Sequence, residues 1–299
     1  MTTALDGVAP LAHLGVIAVA GDDAASFLQN QLTNDFALLG TDEARLAAWC
    51  SAKGRMLASF IGFKHGNGEI LLVTPRDILP QTLKRLSMFV LRAKAKLRDA
   101  STEFELYGIA GDARAQLPWH VRRESDAIVV SLYPAGTLSR SLAAVPAGAA
   151  KPAGPALEPA LWAWTEVQSG VATITAPIVE AFVPQMLNYE SVGGVNFKKG
   201  CYPGQEVVAR SQFRGTLKRR AYLAHGASPM KPGDELFHES DREQPCGVVA
   251  QAAASPDGGW DAIVSVQVAS ANAGRITSGS ADGTEVKLAP PPYPLLADI

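Results

Sequence analysis

The chain has few of the residues that build a metal site or a disulfide framework. Its 299 residues include three cysteines, at positions 50, 201 and 246, and no Cys-x-x-Cys pair. An odd number of widely spaced cysteines predicts neither structural disulfides nor a zinc site, and it is typical of a reducing compartment. The five histidines show no metal-binding spacing either. We therefore expect no bound metal and a location in the cytoplasm.

Long apolar runs and a strong net charge are also missing. No uninterrupted apolar stretch approaches the roughly 20 residues that cross a bilayer, and the first ten residues do not have the pattern of a signal peptide. The net charge of −2 favours neither nucleic acid nor an anionic membrane as a partner. With 47% hydrophobic and 19% charged residues, the composition is that of a globular protein with a sizeable core.

Hydrophobic periodicity predicts a mixture of strands and helices. Strands are indicated at 14–20, 43–50, 56–64, 69–74, 93–98, 103–110 and 127–133, and helices at 22–32, 76–91 and 159–169. Residues 143–159, rich in Ala, Pro and Gly with almost nothing to bury, predict a surface crossing. After residue 218, short strands at 220–225, 247–253 and 262–268 alternate with Pro, Gly and Asp turns. The predicted fold class is α+β, ending in a β-barrel or sandwich.

One cysteine lies in a local sequence suited to reactivity. Segment 197–210 reads Phe-Lys-Lys-Gly-Cys-Tyr-Pro-Gly-Gln-Glu-Val-Val-Ala-Arg, which places Cys201 after two lysines and before a predicted helix. Gly200 lets the backbone turn, and Pro203 suits the first helical position. Lysine charges and a helix N-terminus both favour a thiolate. The alternative is that Cys201 is a small buried hydrophobic residue, as most free cysteines are.

This segment resembles the signature of the YgfZ family, folate-binding proteins related to the aminomethyltransferase (T-protein) of the glycine cleavage system. The matching residues are Lys199-Gly200-Cys201-Tyr202, Gly204-Gln205-Glu206 and Arg210. Shorter resemblances at 27–35, 50–55, 182–188 and 213–219 follow the family order over most of the chain. The resemblance implies three domains around a central folate-sized cavity, which we place at 1–110, 111–215 and 216–299. The first two domains can interleave in sequence.

The resemblance also implies roles for individual residues. Cys201 is the implied reactive thiolate, and tetrahydrofolate or a derivative is the implied cofactor. The residues implied to bind it are Lys199, Gly200, Gln205, Glu206, Arg210, Gln168, Asn34, Asp35 and Lys53. Gln168 stands where the family has a carboxylate that holds the pterin ring, but a solvent-facing helix residue fits this position equally well. Asp35 and Lys53 are alternatively ordinary turn residues.

A carboxylate that the related transferases place beside the reactive folate nitrogen is missing. The corresponding stretch, 53–60, contains no Asp or Glu. The amide of Gln168 forms hydrogen bonds but cannot act as a base. We therefore expect the chain to bind a reduced folate and not to transfer an aminomethyl group by the parent mechanism.

A basic run follows the cysteine motif. Between residues 198 and 220, seven basic residues stand against one acidic residue, Glu206: they are Lys198, Lys199, Arg210, Arg214, Lys218, Arg219 and Arg220. Such a run attracts the polyglutamate tail of a folate or the phosphates of RNA. It is also compatible with a solvated face that has no partner.

Three functions remain open from the sequence. The first, implied by the resemblance, is a tetrahydrofolate-binding accessory protein that supports iron–sulfur cluster assembly or repair in client proteins, including tRNA-modifying enzymes. The second is a folate-dependent aminomethyltransferase or demethylase, and the third is a tRNA-binding module. The missing carboxylates favour the first over the second, and the net charge disfavours direct nucleic-acid binding. We expect the protein to act as a monomer without membrane contact.

Overall fold

The computed structural model describes residues 5–213 and 217–296, which form two five-stranded sheets and a closed barrel of six strands. In spatial order, the first sheet contains β1 (Gly7–Pro10), β7 (Phe104–Ala110), β10 (Arg140–Pro146), β9 (Ala127–Ser131) and β8 (Val121–Glu124). The second contains β3 (Ala44–Cys50), β4 (Met56–Lys64), β5 (Ile70–Pro75), β2 (Leu14–Ala20) and β6 (Lys96–Asp99). All neighbouring strands in both sheets are antiparallel.

The barrel occupies the C-terminal part of the chain. Its strands follow the order β11 (Arg219–Gly226), β14 (Trp260–Gln267), β13 (Asp241–Ala254), β12 (Glu235–His238), β15 (Ile276–Ser278) and β16 (Thr284–Ala289). Strand β16 pairs with β11 and closes the barrel, which leaves no sheet edge open. The α+β class and the C-terminal barrel are thus confirmed.

Short helices connect the sheets. They are α1 (Ala24–Gln29), α2 (Leu79–Ser87), α3 (Pro159–Gln168), α4 (Gln205–Phe213) and α5 (Val268–Ala271), with 3-10 turns at Gly66–Gly68, Ala176–Ile178 and Pro184–Leu187. Helix α3 begins at its proline as predicted, because proline suits the first turn of a helix. Helix α2 is shorter than predicted and also carries a proline in its first turn. The helix predicted after Cys201 is confirmed as α4, which begins at Gln205; Pro203 lies two residues before it and not at its first position.

The predicted surface crossing at 143–159 was wrong in its first part. Strand β10 runs to Pro146 between β7 and β9, and Ala143, Ala144 and Val145 are at most 1% exposed. Both faces of this strand are covered, so its small side chains fill narrow spaces within the protein. A run of alanines carries little hydrophobic signal, and for this reason the pattern did not reveal the strand.

One large core joins the parts of the chain. It contains Phe60 of β4, Val167 of α3 and Ile263 of β14, together with Tyr202 from the cysteine segment. The second sheet, helix α3 and the barrel therefore pack against one another around a shared interior. The first sheet draws strands from both sides of residue 110, since β7 pairs with β10. The domain boundaries at 110 and 215 stay a prediction.

Candidate functional site: a central cavity and an exposed cysteine loop

A cavity of about 140 Å³ lies where the two sheets, helix α3 and the barrel meet. Its wall includes Leu142 from the first sheet, Phe60 from the second, Trp162 from α3 and Gln251 from the barrel. A cavity of about 150 Å³ is known to accept a benzene molecule. This one therefore has room for a ring, while the rest of a longer ligand would extend toward its opening.

Helix α3 presents two different faces. Trp162, Glu166 and Ser169 recur at helical spacing along one face and line the cavity. On the opposite face, Trp164 Nε1 and Gln168 Nε2 both donate to Asp261 Oδ2 of the barrel, at 2.6 and 3.0 Å. The structure thus places Gln168 in the contact between α3 and the barrel. It is not among the residues that line the cavity.

The cavity wall carries both signs of charge. The Glu166 carboxylate lies 3.9 Å from His13 Nε2, and this pairing raises the pKa of His13. Arg140 is a buried residue of the wall, and burial lowers its pKa to about 10. Its guanidinium lies 4.5 Å from the centre of the Trp162 ring, and its Nε donates to Thr165 Oγ1 at 2.9 Å. Arg140 is therefore held in a fixed position as a cation next to the cavity.

Three buried polar atoms of the cavity wall have no hydrogen-bond partner within residues 5–213 and 217–296. They are Thr74 Oγ1, Trp162 Nε1 and Thr175 Oγ1. Most buried polar atoms in native proteins are paired, so such atoms call for a bound molecule or ordered water. With Glu166 as an acceptor nearby, the wall offers both donors and acceptors to a heteroaromatic ring. The residues present therefore fit the ring system of a folate.

Cys201 lies in an exposed loop away from the cavity wall, between Lys198 and helix α4. The ammonium of Lys199 turns inward, where it donates to Gln29 O and, at 2.8 Å, to Leu32 O. It also lies 4.6 Å from the centre of the Tyr202 ring. Burial lowers the pKa of Lys199 to about 8, against the opposing effect of the charges of Asp35 and Cys201. Lys199 thus anchors the loop to the end of helix α1.

Two turns that are far apart in sequence interlock beneath Cys201. Gly204 has a φ of +79°, and a Cβ atom there would collide with Ser51 O and with the backbone of Gly54. Gly54 has a φ of +71°, and its own Cβ would lie 2.8 Å from Val207 Cβ. Each position thus needs glycine for both its backbone conformation and its space. Gly200, by contrast, has no positive φ and faces open space, so the sequence-based reason for this glycine was wrong.

The other family-like segments also pack around this loop. Thr33 Oγ1 donates to Gly194 O, and Asn34 Nδ2 donates to Gly193 O, both at 2.6 Å. From segment 182–188, Gln185 Nε2 donates to Val208 O of α4 at 2.7 Å. The side chains of Asn34 and Gln185 therefore hold the backbone of Gly193 and Val208 in position. The segments that resembled the family by sequence converge in space on the Cys201 loop.

The remaining predicted site residues lie on or near the same surface. Gly200, Glu206, Arg210 and Lys53 are exposed, and Gln205 is half-buried at the start of α4. Asp35 Oδ1 accepts from Leu38 N at 3.0 Å. The residues predicted to bind the cofactor thus group around Cys201, except for Gln168, and the structure places none of them on the wall of the central cavity. Arg214 of the basic run lies outside the described residues.

The sequence analysis did not identify the charged residues that line the cavity. Glu166 could have been found from the helical spacing of Trp162, Glu166 and Ser169 on α3. His13 and Arg140 gave no such signal, because His13 lies in a turn and Arg140 begins strand β10, which the sequence analysis did not predict. Within the described ranges, no group of three His, Cys, Asp or Glu side chains is placed to hold a metal, and no helix is long and apolar enough to cross a membrane.

Known proteins resemble this chain along most of its length. No protein-family model matches it. The chain is 32% identical over 236 residues to the tRNA-modifying protein YgfZ of Cronobacter sakazakii, an alignment that covers 73% of this chain and 71% of that protein. It is 29% identical over 299 residues to the tRNA-modifying protein YgfZ of Sodalis glossinidius, which covers 93% and 90%. The chain belongs to the YgfZ family.

A solved structure has the same fold as this YgfZ-family chain. It is the crystal structure of glycine cleavage system aminomethyltransferase T from Bartonella henselae, with a TM-score of 0.66 over 97% of this chain and 86% of that one. At 16% identity, the likeness shows the fold alone. The aminomethyltransferase-like fold that the sequence resemblance implied is confirmed.

We predict that Cys201 is the reactive thiol of this YgfZ-family protein. Cys50 and Cys246 are buried, and burial raises the pKa of Cys50 to about 12 and also raises the pKa of Cys246. Both therefore stay protonated and shielded at neutral pH, whereas the thiolate is the nucleophile. Iodoacetamide labelling of the folded protein at pH 7, read for each site by mass spectrometry, should modify Cys201 first. Equal labelling of all three cysteines in the folded protein would contradict this.

Proposed function

We propose that this protein binds a reduced folate in the central cavity and uses Cys201 to support iron–sulfur cluster assembly or repair in tRNA-modifying enzymes. The observation that carries the proposal is that the structure holds the loop of one exposed thiol in a fixed conformation. Buried hydrogen bonds and two interlocked glycine turns fix a loop whose cysteine itself contributes nothing to the core. Such construction suits a thiol that is kept for chemistry.

The thiol would act on a cluster that another protein holds. A single cysteine does not hold a stable cluster, because four thiolate-type ligands are usual. Cys201 is accessible to a partner, and the exposed Lys198 and Arg210 on the same surface add positive charge. A thiolate there would bind transiently to iron in a client protein that supplies the remaining ligands. Client enzymes that modify tRNA are suggested by the name of the relatives, tRNA-modifying protein YgfZ.

The folate part of the proposal is supported by the cavity. Its size, its unpaired Trp162 Nε1 and Thr175 Oγ1 and its carboxylate suit a polar aromatic ring. The shared fold with an aminomethyltransferase adds an argument by analogy. When bound, a reduced folate carries one-carbon groups. The residues of this chain would bind its ring, orient it and exclude water from it.

A folate-dependent transferase is the second candidate, because Glu166 supplies a carboxylate that the sequence comparison had not located. It lies in the cavity next to His13, so a group able to accept a proton is present. Its position two residues before Gln168 differs from the position of the family carboxylate. The accessory role remains the proposal, since the stretch 53–60 has no carboxylate.

We predict saturable binding of tetrahydrofolate without turnover. Calorimetric titration under anaerobic conditions should give one site per chain, because the ring is proposed to bind in the central cavity, which has ring-sized space and unpaired polar atoms in its wall. Incubation with an aminomethyl donor protein should then give no methylene-tetrahydrofolate. Absence of saturable binding would contradict the folate proposal, and measurable product would support the transferase instead.

A further inference from the structure

The central cavity holds one carboxylate, and it does not stand where the family resemblance placed it. Among the described residues, the acidic and basic side chains of the wall are Glu166, His13 and Arg140, which come from α3, from the turn before β2 and from β10. Gln168 faces the barrel. We propose that Glu166 has taken over recognition of the amino-substituted edge of the folate ring, and that Gln168 has become a structural contact. This inference rests on the proposed function.

The Glu166 carboxylate is free to accept hydrogen bonds from a ligand. Its side chain is 19% exposed, and its nearest charged neighbour, His13 Nε2, lies at 3.9 Å, which is beyond hydrogen-bonding distance. No other donor within the described ranges forms a hydrogen bond to its carboxylate oxygens. The carboxylate thus faces the cavity with acceptor capacity that the protein itself does not use.

Helix geometry explains why a shift of two residues matters. Successive residues turn by about 100° around a helix, so positions 166 and 168 point in nearly opposite directions. Glu166 shares its face with Trp162 and Ser169, and Gln168 shares its face with Trp164. The two donors Gln168 Nε2 and Trp164 Nε1 use the same oxygen of Asp261. Turning Gln168 toward the cavity would break this contact with the barrel.

The chemistry of the ring edge matches a carboxylate. The 2-amino group and the neighbouring ring N–H of a tetrahydropterin are two parallel donors in one plane, similar to one side of a guanidinium. Carboxylates accept such donor pairs through both oxygens, and the resulting charge-assisted hydrogen bonds are about twice as strong as neutral ones. An amide offers one acceptor oxygen and would leave the second donor unpaired.

Arg140 contributes to the proposed binding site through the fixed position of its charge. It is 3% exposed, and its guanidinium is fixed by the Thr165 hydroxyl, by Tyr133 O at 3.3 Å and by the face of the Trp162 ring. Its charge attracts the Glu166 carboxylate across the wall. The pair therefore places a carboxylate and a guanidinium beside a ring-sized space, which favours a ligand with a polar edge over a purely apolar one.

The test compares Glu166→Gln with Gln168→Leu by calorimetric titration with tetrahydrofolate. Glu166→Gln should weaken binding by about 10- to 100-fold, the range for losing a hydrogen bond to a charged group. Gln168→Leu should bind within about threefold of the unmodified chain, even if it melts at a lower temperature. Equal binding by Glu166→Gln and the unmodified chain overturns the inference, as does a larger loss with Gln168→Leu. If the unmodified chain binds no tetrahydrofolate, it is the proposed function that fails.

A second ligand separates recognition from a structural effect. In this ligand, the 2-amino group of tetrahydrofolate is replaced by methyl. The unmodified chain should bind it more weakly, and Glu166→Gln should cause a smaller further loss than it does with tetrahydrofolate, because only the ring N–H still donates to residue 166. Independent losses that multiply would show that Glu166 acts elsewhere and would overturn the inference. Thermal melts of both variants, with Glu166→Asp as a folded variant that keeps the charge, exclude unfolding as the cause.

Discussion

Replacing Cys201 with alanine should abolish the cellular function of the protein while leaving its fold intact. The Cys201 side chain is exposed and belongs to no hydrophobic cluster. Exposed substitutions usually change the free energy of unfolding by less than about 0.5 kcal/mol. We therefore expect a melting temperature within about 2 °C of the unmodified chain. Rescue of iron–sulfur enzyme activity in cells that lack the protein should fail.

Cys50→Ala is the matched control for this prediction. Cys50 is 1% exposed in the large core, so removing its sulfur leaves unfilled space. This variant should melt at a lower temperature and still rescue activity in cells grown at a permissive temperature. Full rescue by Cys201→Ala would remove the thiol from the mechanism. A melting temperature many degrees lower for Cys201→Ala would assign the thiol a structural role.

Replacing Gly204 with alanine should disrupt the cysteine loop. The backbone there has a φ of +79°, which costs a non-glycine residue about 1 to 2 kcal/mol. The added methyl group would also collide with Ser51 O and with the Gly54 backbone, neither of which can rotate away. At about 2 to 4 °C per kcal/mol for a chain of this size, the melting temperature should fall by about 5 °C or more. Cellular rescue should be lost with it.

Gly200→Ala provides the control within the same motif. A methyl group at Gly200 meets no atom within 4 Å, and the backbone there has no positive φ. The melting temperature of this variant should stay within about 1 °C of the unmodified chain. Thermal melts of the two variants side by side decide the matter. Equal stability of the two variants would show that the turns at Gly54 and Gly204 do not depend on each other.

The sequence was sufficient for most of the architecture and for distinguishing the exposed cysteine from the two buried ones. Strands such as Met56–Lys64 were predicted well because turn residues bound their apolar runs. Strand β10 was not predicted, since alanines in a doubly covered strand resemble a loop by composition. The exposed thiol among family-like residues could be read directly from the motif.

The cavity was predictable only in outline. Its wall combines residues from the turn before β2, from α3 and from the barrel, and no local pattern connects these parts of the chain. Gln168 was chosen by its alignment with a family position, but the face of a helix depends on which neighbours cover it. The two glycines of the motif, Gly200 and Gly204, likewise cannot be distinguished from the sequence alone. Only the packing of Gly204 against residues 51–54 tells them apart.

The loop around Cys201 has a consequence for how the protein is made. The hydrogen bond from Lys199 to Gln29 joins residues 170 positions apart. The one from Gln185 to Val208 requires helix α4, which contains Val208. Contacts of such long range form slowly, because the intervening chain must first be ordered. A chain emerging from the ribosome therefore carries Cys201 as an ordinary flexible thiol. The structured thiol exists only in molecules that have completed folding, so folding itself decides when this chemistry becomes available.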